Sequence, residues 1–265
     1  PAKKAIGELP SWEGEQIPVP FEIAREVGQL RRTRAFEDYT GDKASIAYAN
    51  GFLNLVIKNH GLIPTDQLLT IEQSDDGILL NICAGHKTNE AIGRVISILL
   101  SARFGTTIGL ELDAYRILLR VPREVSIADI KETLERLKPE HVQGILELAL
   151  KRTSLFKWKL VQIAKKFGAI DPDADYERLS LHKMADLLSH PQIQEETYRE
   201  IFTRYMDVTH AMEIVSAINT GDIDVAIGPV SMIGATGLFT SSRDLIPPPT
   251  ADQAVISALK HRLDR

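Results

Sequence analysis

The sequence predicts an α+β domain, predominantly helical, with a small antiparallel β-sheet made of two hairpins flanking a long helix. Three observations carry that expectation. Leu68–Gln73 and Ile78–Cys83 are short apolar runs joined by Ser74-Asp75-Asp76-Gly77, a strong hairpin turn sequence. Thr106–Leu112 and Tyr115–Val121 repeat the arrangement around Asp113-Ala114. Between the two pairs, His86 to Phe104 places Ile92, Ile96, Leu99, Leu100 and Arg103 along one side of a helix. The order β-β-α-β-β with short links favours antiparallel pairing over the parallel crossover of a dinucleotide-binding unit.

The remaining elements follow in order. Residues 1–20 carry Pro10, Pro18 and Pro20 without periodicity and read as an extended strap. Phe21 to Arg34 is a helix with Ile23, Val27, Leu30 and Arg34 on one face and Ala24 beside them. Asp42 to Asn59 is a second helix, ended by Asn59-His60-Gly61. Beyond the hairpins, Ser126-Ile-Ala-Asp129 is a capping box, and Pro139 suits the first turn of the next helix. Helices are then expected over Ser154–Phe167, Ser180–Ser189, Gln192–Tyr205 and Val208–Asn219, and a short strand over Asp222–Ile227. Gly228–Gly237 and Pro247-Pro248-Pro249 read as loop and linker, and Thr250-Ala-Asp-Gln253 caps a terminal amphipathic helix. The expected organisation is a strap over 1–20, a body over 21–246, and a Pro-rich linker with its helix over 247–265.

Composition narrows the function classes. The chain has 265 residues, 44% hydrophobic and 25% charged, which is enough apolar material for a core and excludes a disordered chain. The single Cys83 excludes an intrachain disulfide framework and points to a reducing, cytoplasmic setting. No apolar run reaches the roughly 18 residues of a membrane span, so no membrane partner is expected. The net charge of −5 argues at first against nucleic acid, yet it averages unlike regions. Lys151 to Lys166 holds six basic residues and no acid, whereas Asp171 to Asp224 holds twelve acids and four bases.

Catalytic signatures are absent from the sequence. Gly85-His86-Lys87-Thr88 has the tail of a phosphate-binding loop, but the first glycine and the four-residue loop are missing. Without them no backbone N–H groups cradle a β-phosphate. His86 and Glu90 stand one helical turn apart, but no third ligand follows at metal spacing, so a capping or surface role is expected for His86. No Gly-x-Ser-x-Gly elbow is present. Neither a catalytic constellation nor a cofactor or metal site is expected within this chain.

The sharper signals are cationic and aromatic. On the Thr153–Gly168 wheel, Phe156, Leu160, Ile163, Ala164 and Phe167 define the buried face. Trp158 falls opposite, with Lys165 beside it seven residues on and Lys157 and Lys166 nearby. Such a tryptophan stacks on a nucleobase next to phosphate-neutralising lysines, or it is covered by another helix or partner. Arg25 and Arg32 share an exposed line on the first helix, although cations near a helix C-terminus are expected from the dipole alone. Lys87 and Arg94 form an i, i+7 pair, with Glu90 placed to pair Arg94 at i, i+4. Trp12 lies in the strap, either pinned into a groove or presented outward.

Four motifs in order carry a family resemblance. Leu9-Pro10-Ser11-Trp12-Glu13-Gly14-Glu15 followed by Pro18-Val-Pro-Phe-Glu-Ile-Ala-Arg-Glu-Val-Gly28 resembles the post-motor region of Lhr-type (large helicase-related) superfamily-2 helicases. Gly85-His-Lys-Thr-Asn-Glu-Ala-Ile-Gly-Arg94, running into Leu100-Ser-Ala-Arg-Phe-Gly105, is similar to that family's hallmark. Leu112-Asp-Ala-Tyr-Arg-Ile117 and His190-Pro-Gln-Ile-Gln-Glu-Glu-Thr-Tyr-Arg-Glu200 match it too, so the likeness runs from about Leu9 to Pro249.

The resemblance implies a C-terminal DEAD/DEAH-helicase-associated domain, following two RecA-like motor domains and a winged helix that this sequence lacks. It implies a parent that translocates 3′ to 5′ on single-stranded DNA and unwinds DNA or RNA:DNA hybrid, in DNA repair, with ATP and Mg held by the motor. It also implies that Trp12 stacks on a base and couples ATP hydrolysis to unwinding. The candidate nucleic-acid contacts are therefore Trp12, Arg25, Arg32, Lys87, Arg94, Lys157, Trp158, Lys165 and Lys166. The competing expectation is a protein-docking module that never touches nucleic acid, with Trp158 as its anchor.

Overall fold

The computed structural model describes residues 17–151, 153–171, 188 and 190–235. Most of the strap with Trp12, the helix expected over Ser180–Ser189, and the Pro-rich linker with its terminal helix lie outside the described residues.

The described elements are α1 (Phe21–Thr33), α2 (Lys43–His60), β1 (Leu68–Ser74), β2 (Gly77–Asn81), α3 (His86–Phe104), β3 (Gly109–Leu112) and β4 (Arg116–Arg120). They continue with α4 (Ile127–Arg136), α5 (Pro139–Leu150), α6 (Ser154–Lys166), α7 (Pro191–Tyr205), α8 (Val208–Thr220), β5 (Asp224–Gly228) and the short α9 (Met232–Ala235). Local chemistry sets many of the ends. The Asp42 carboxylate accepts from the N–H groups of Ala44 and Ser45 to open α2. Ser126 and Asp129 close a reciprocal capping box on α4, and Pro139 stands in the first turn of α5.

The two expected hairpins form one sheet in the order β3-β4-β2-β1-β5. The sheet is mixed rather than purely antiparallel, because β5 pairs with β1 in parallel, Leu68 opposite Asp224 and Ile71 opposite Ile227. A parallel neighbour needs a long crossover, and the whole helical stretch from α3 to α8 supplies it. The glycine-rich segment after β5 also differs from the expected loop, since Met232–Ala235 forms a helical turn.

α3 is the central element. Ile92, Ile96 and Leu100 are buried against the sheet face carrying Ile71, Ile78, Leu80 and Ile117. A Cβ at Gly93 would come within 2.7 Å of Leu110 Cδ1, so glycine lets α3 lie close to the strands. Helices α4, α5 and α8 pack on α3, and α6 packs on α7, which extends one continuous core. Full burial of a Leu or Ile contributes about 1.5–3 kcal/mol.

The other sheet face is polar in part. Thr70, Glu72 and Asn81 are buried there, with Asn81 donating to Thr70 Oγ1 at 2.9 Å and Thr70 donating to Glu72 at 3.2 Å. α9 lies over this face. The Ser231 N–H donates to Glu72 at 2.9 Å, and Arg116 donates to the Ile233 carbonyl at 2.7 Å.

α1 corrects the expected buried face. Ala24 and Gly28 are buried, whereas Ile23 is 49% exposed. The cause is a close approach: a Cβ at Gly28 would stand 2.5 Å from the Asp66 backbone nitrogen and 3.0 Å from Cys83 Cβ. Gly28→Ala is expected to destabilise the chain by about 2 kcal/mol despite its better helix propensity, because backbone cannot yield as a side chain does. Urea unfolding checks this, and a variant as stable as the parent would refute the close approach.

Candidate nucleic-acid interface

The candidate cations separate by what each already holds. Arg94 is 4% exposed and ion-paired with Glu90 one turn before it, the pairing that their spacing predicts. Buried and paired, its guanidinium is not presented to a phosphate. Arg32 forms a two-pronged pair with Asp66, Nε and one terminal nitrogen each 2.8 Å from the carboxylate. Burial alone would raise the Asp66 carboxyl, but Arg32 holds it below the usual range. Arg32 thus ties α1 to the loop before β1. Arg31 beside it donates to the Pro64 carbonyl at 3.3 Å and lies 5.4 Å over the Tyr115 ring.

Arg25 is half-buried, 6.0 Å over the Phe21 ring, and desolvation lowers its pKa against the pull of Asp66. Lys87, in the first turn of α3, donates through Nζ to the Thr203 carbonyl at 2.8 Å. It borders an open groove of about 560 Å³ between α5, α7 and α8. Glu147, Glu195 and Asp207 face Lys87 and Arg199 in that groove. Three carboxylates against two cations make it a poor phosphate track. Burial pushes the phenol of Tyr198, on the same wall, up to about 12, and its O–H donates to the Glu147 carbonyl at 3.1 Å.

α6 has a different character. The Thr153 hydroxyl accepts from the Phe156 N–H to open it, and Phe156, Leu160, Ile163 and Ala164 are buried as the wheel predicts. Trp158 is 48% exposed on the opposite side. Lys157 and Lys165 are half-buried and Lys166 is exposed, its Nζ 3.5 Å from Glu200. α6 thus carries the exposed Trp158 together with Lys157, Lys165 and Lys166, and the Trp158 ring lies 5.2 Å from the Lys159 Nζ.

Two residues of this stretch depart from expectation. Phe167, expected in the core, is 56% exposed, because α6 ends at Lys166 and the wheel no longer applies. Lys159 is 4% exposed and paired with Glu200 of α7, so one of the six basic residues is structural. The signal was available: Lys159 stands three residues after Phe156 and four before Ile163, on the buried arc.

Arg25, Arg31 and Arg32 gather around Asp66 and Cys83, Lys87 joins the α7–α8 corner, and Arg94 stands apart. No group of three or more metal-ligating side chains is found among the described residues, and no helix among them is long and apolar enough to cross a membrane.

Comparisons with known proteins agree on one family. The DEAD/H associated model matches residues 63–232. The chain is 26% identical over 263 residues to the ATP-dependent helicase Lhr-Core of Sulfolobus acidocaldarius, covering 86% of this chain and 30% of that protein. It is 27% identical over 267 residues to the Lhr-Core of Saccharolobus solfataricus, covering 87% and 30%. The chain therefore spans about 30% of the length of these curated relatives. The fold matches the structure of Mycobacterium smegmatis helicase Lhr bound to ssDNA and AMP-PNP at a TM-score of 0.64 and 17% identity, over 89% of this chain and 34% of that one. With the family model covering residues 63–232, well over half of the sequence, and the curated relatives above being Lhr-Core helicases, the chain belongs to the DEAD/H associated family.

Proposed function

We propose that this chain is the nucleic-acid-gripping accessory domain of an Lhr-like 3′-to-5′ ATP-dependent helicase, acting in the cytoplasm. It holds the tracking single strand against the RecA-like motor and winged helix of its parent and couples ATP hydrolysis to unwinding of DNA or RNA:DNA duplex in DNA repair. The observation that carries this reading is the fold match to an Lhr helicase whose structure was solved with single-stranded DNA. ATP and Mg belong to the motor; the part played by this chain is physical. Cations hold phosphates without regard to sequence, and an aromatic platform stacks on bases, at about 1–3 kcal/mol per base.

The platform comprises Trp158 with Lys157, Lys165 and Lys166 on α6, with Trp12 of the strap as the coupling aromatic. Arg25 and Lys87 stand as secondary contacts. Arg32 and Arg94 drop out of the proposal because their guanidinium groups hold Asp66 and Glu90.

Fluorescence anisotropy with a labelled oligo-dT strand tests the reading on the chain and on its parent. Affinity is expected to fall steeply with salt, and Trp158→Ala is expected to weaken binding by about tenfold. No binding by the chain, together with binding by the parent that Trp158→Ala leaves unchanged, would favour the docking module instead. One observation supports that rival: α2 buries only Leu53 and Val56, leaving Tyr48 79%, Leu55 45% and Ile57 44% exposed.

A further inference from the structure

Gly85 and His86 open the hallmark motif, yet neither a phosphate loop nor a metal explains them. The expected capping or surface role does not fit His86 either. Its ring is half-buried and turned toward the strap, and the Val19 N–H donates to Nδ1 at 2.9 Å. In return the His86 N–H donates to the Val19 carbonyl at 3.1 Å. One strap residue is thus held through both its backbone groups by one residue of α3.

The strap is built for this contact. Pro18 and Pro20 have no N–H, so Val19 offers the one backbone donor between Ile17 and Phe21. Gly85 has φ +82, and a Cβ there would meet the Val19 oxygen at 2.8 Å and the Phe21 nitrogen at 2.9 Å. Any side chain at position 85 would push the strap off α3. On the far side the Phe21 ring stacks on His210 at 3.9 Å and 10° between planes. The strap is therefore fixed on both sides of Pro20 where it joins the body.

The geometry points to Gly85 and His86 as the anchor that fixes where the strap leaves the domain, making His86 a positioning residue for Trp12. This rests on the reading that Trp12 stacks on the tracking strand. Trp12 stands seven positions before Val19, so at no more than about 3.5 Å per residue an anchored chain cannot carry its backbone beyond roughly 25 Å from the anchor, whatever path it takes. A free strap would spread Trp12 over a larger volume and lower its effective concentration at the base.

The anchor also depends on protonation. Because Nδ1 accepts, the neutral ring carries its proton on Nε2, and a protonated ring cannot accept from Val19. Burial lowers the pKa of His86, with Asp113 of the β3–β4 turn pulling the other way. The further charged groups around this corner are Lys87 beside it on α3, Asp207 before α8, and Glu22 on α1 near His210. A histidine whose pKa is lowered by folding contributes fully above its ordinary value and loses that contribution as pH falls through the lowered one.

The test uses the parent helicase with His86→Leu, His86→Asn and Trp12→Ala, and reads Val19 amide exchange and base pairs unwound per ATP. His86→Leu should lose about tenfold in Val19 protection and fall toward the Trp12→Ala coupling while ATPase continues. The Asn Oδ1 can accept as Nδ1 does, so His86→Asn should retain both. The wild type should lose coupling at acid pH while His86→Asn holds it, which keeps the question open to measurement if the Leu variant misfolds. Unchanged Val19 protection in His86→Leu, or released protection with wild-type coupling, would overturn the inference. If Trp12→Ala alone leaves coupling intact, the stacking reading fails and the positioning role fails with it, while Val19 exchange still reports whether the anchor exists.

Discussion

Trp12→Ala in an intact Lhr-type parent is expected to leave ATP hydrolysis running while unwinding falls by about tenfold or more. An indole stacked on a base contributes about 1–3 kcal/mol, and 1.4 kcal/mol corresponds to a factor of ten. If that contact holds the strand through each motor stroke, its loss lets the strand slip. Phosphate is then released without base pairs being opened. Phosphate release and strand separation, measured in the same reaction, give the coupling ratio. Trp158→Ala provides the contrast: as part of a gripping platform it should weaken strand affinity and leave the ratio largely unchanged. Unwinding at the wild-type rate in Trp12→Ala would sink the coupling role, and equal loss of ratio in both variants would place both indoles in one function.

Glu200→Ala is expected to destabilise the chain by about 3 kcal/mol, while Lys159→Met costs less than about 1 kcal/mol. Lys159 is 4% exposed, so removing the carboxylate of Glu200 leaves a buried ammonium in the α6–α7 interface without its counter-charge, although the Trp158 ring lies 5.2 Å from its Nζ. Methionine in its place removes the charge and keeps the packing. The lower end of the usual range applies because the Glu200 side chain is 26% exposed. The same pair predicts a pH dependence. The hydrogen bond from Lys159 holds the Glu200 carboxyl below the ordinary range, against the burial that would raise it. Its contribution is complete above the ordinary glutamate pKa and is lost as pH falls through the lowered one. Urea denaturation of the three proteins across that acid range checks both statements. A Glu200→Ala variant as stable as the wild type would mean that Lys159 needs no partner.

These two residues also show where reading the sequence stops. The Thr153–Gly168 wheel places Trp158 outward and Phe156 inward correctly, because helical spacing is local. The same wheel sets Lys159 on the buried arc, so the run of six basic residues is not uniform, but helical spacing does not say what holds its charge there. What holds it is Glu200, forty-one residues later, and nothing near either residue announces the pairing. Arg32 and Asp66 repeat the lesson across thirty-four residues.

The sequence by itself determined the α+β class, both hairpins, the span of α3, the caps at Ser126 and Pro139, and the motif order that identifies the family. All of these rest on spacings within a turn or two of chain, or on short exact strings. Only the tertiary structure decided that β5 joins β1 in parallel, that Gly28 rather than Ile23 faces inward, and that His86 holds the strap. It also showed that Arg32, Arg94 and Lys159 hold the fold through Asp66, Glu90 and Glu200. The physical reason is the same in each case. Periodicity says which residues share a face, whereas burial and charge compensation depend on what arrives from elsewhere in the chain.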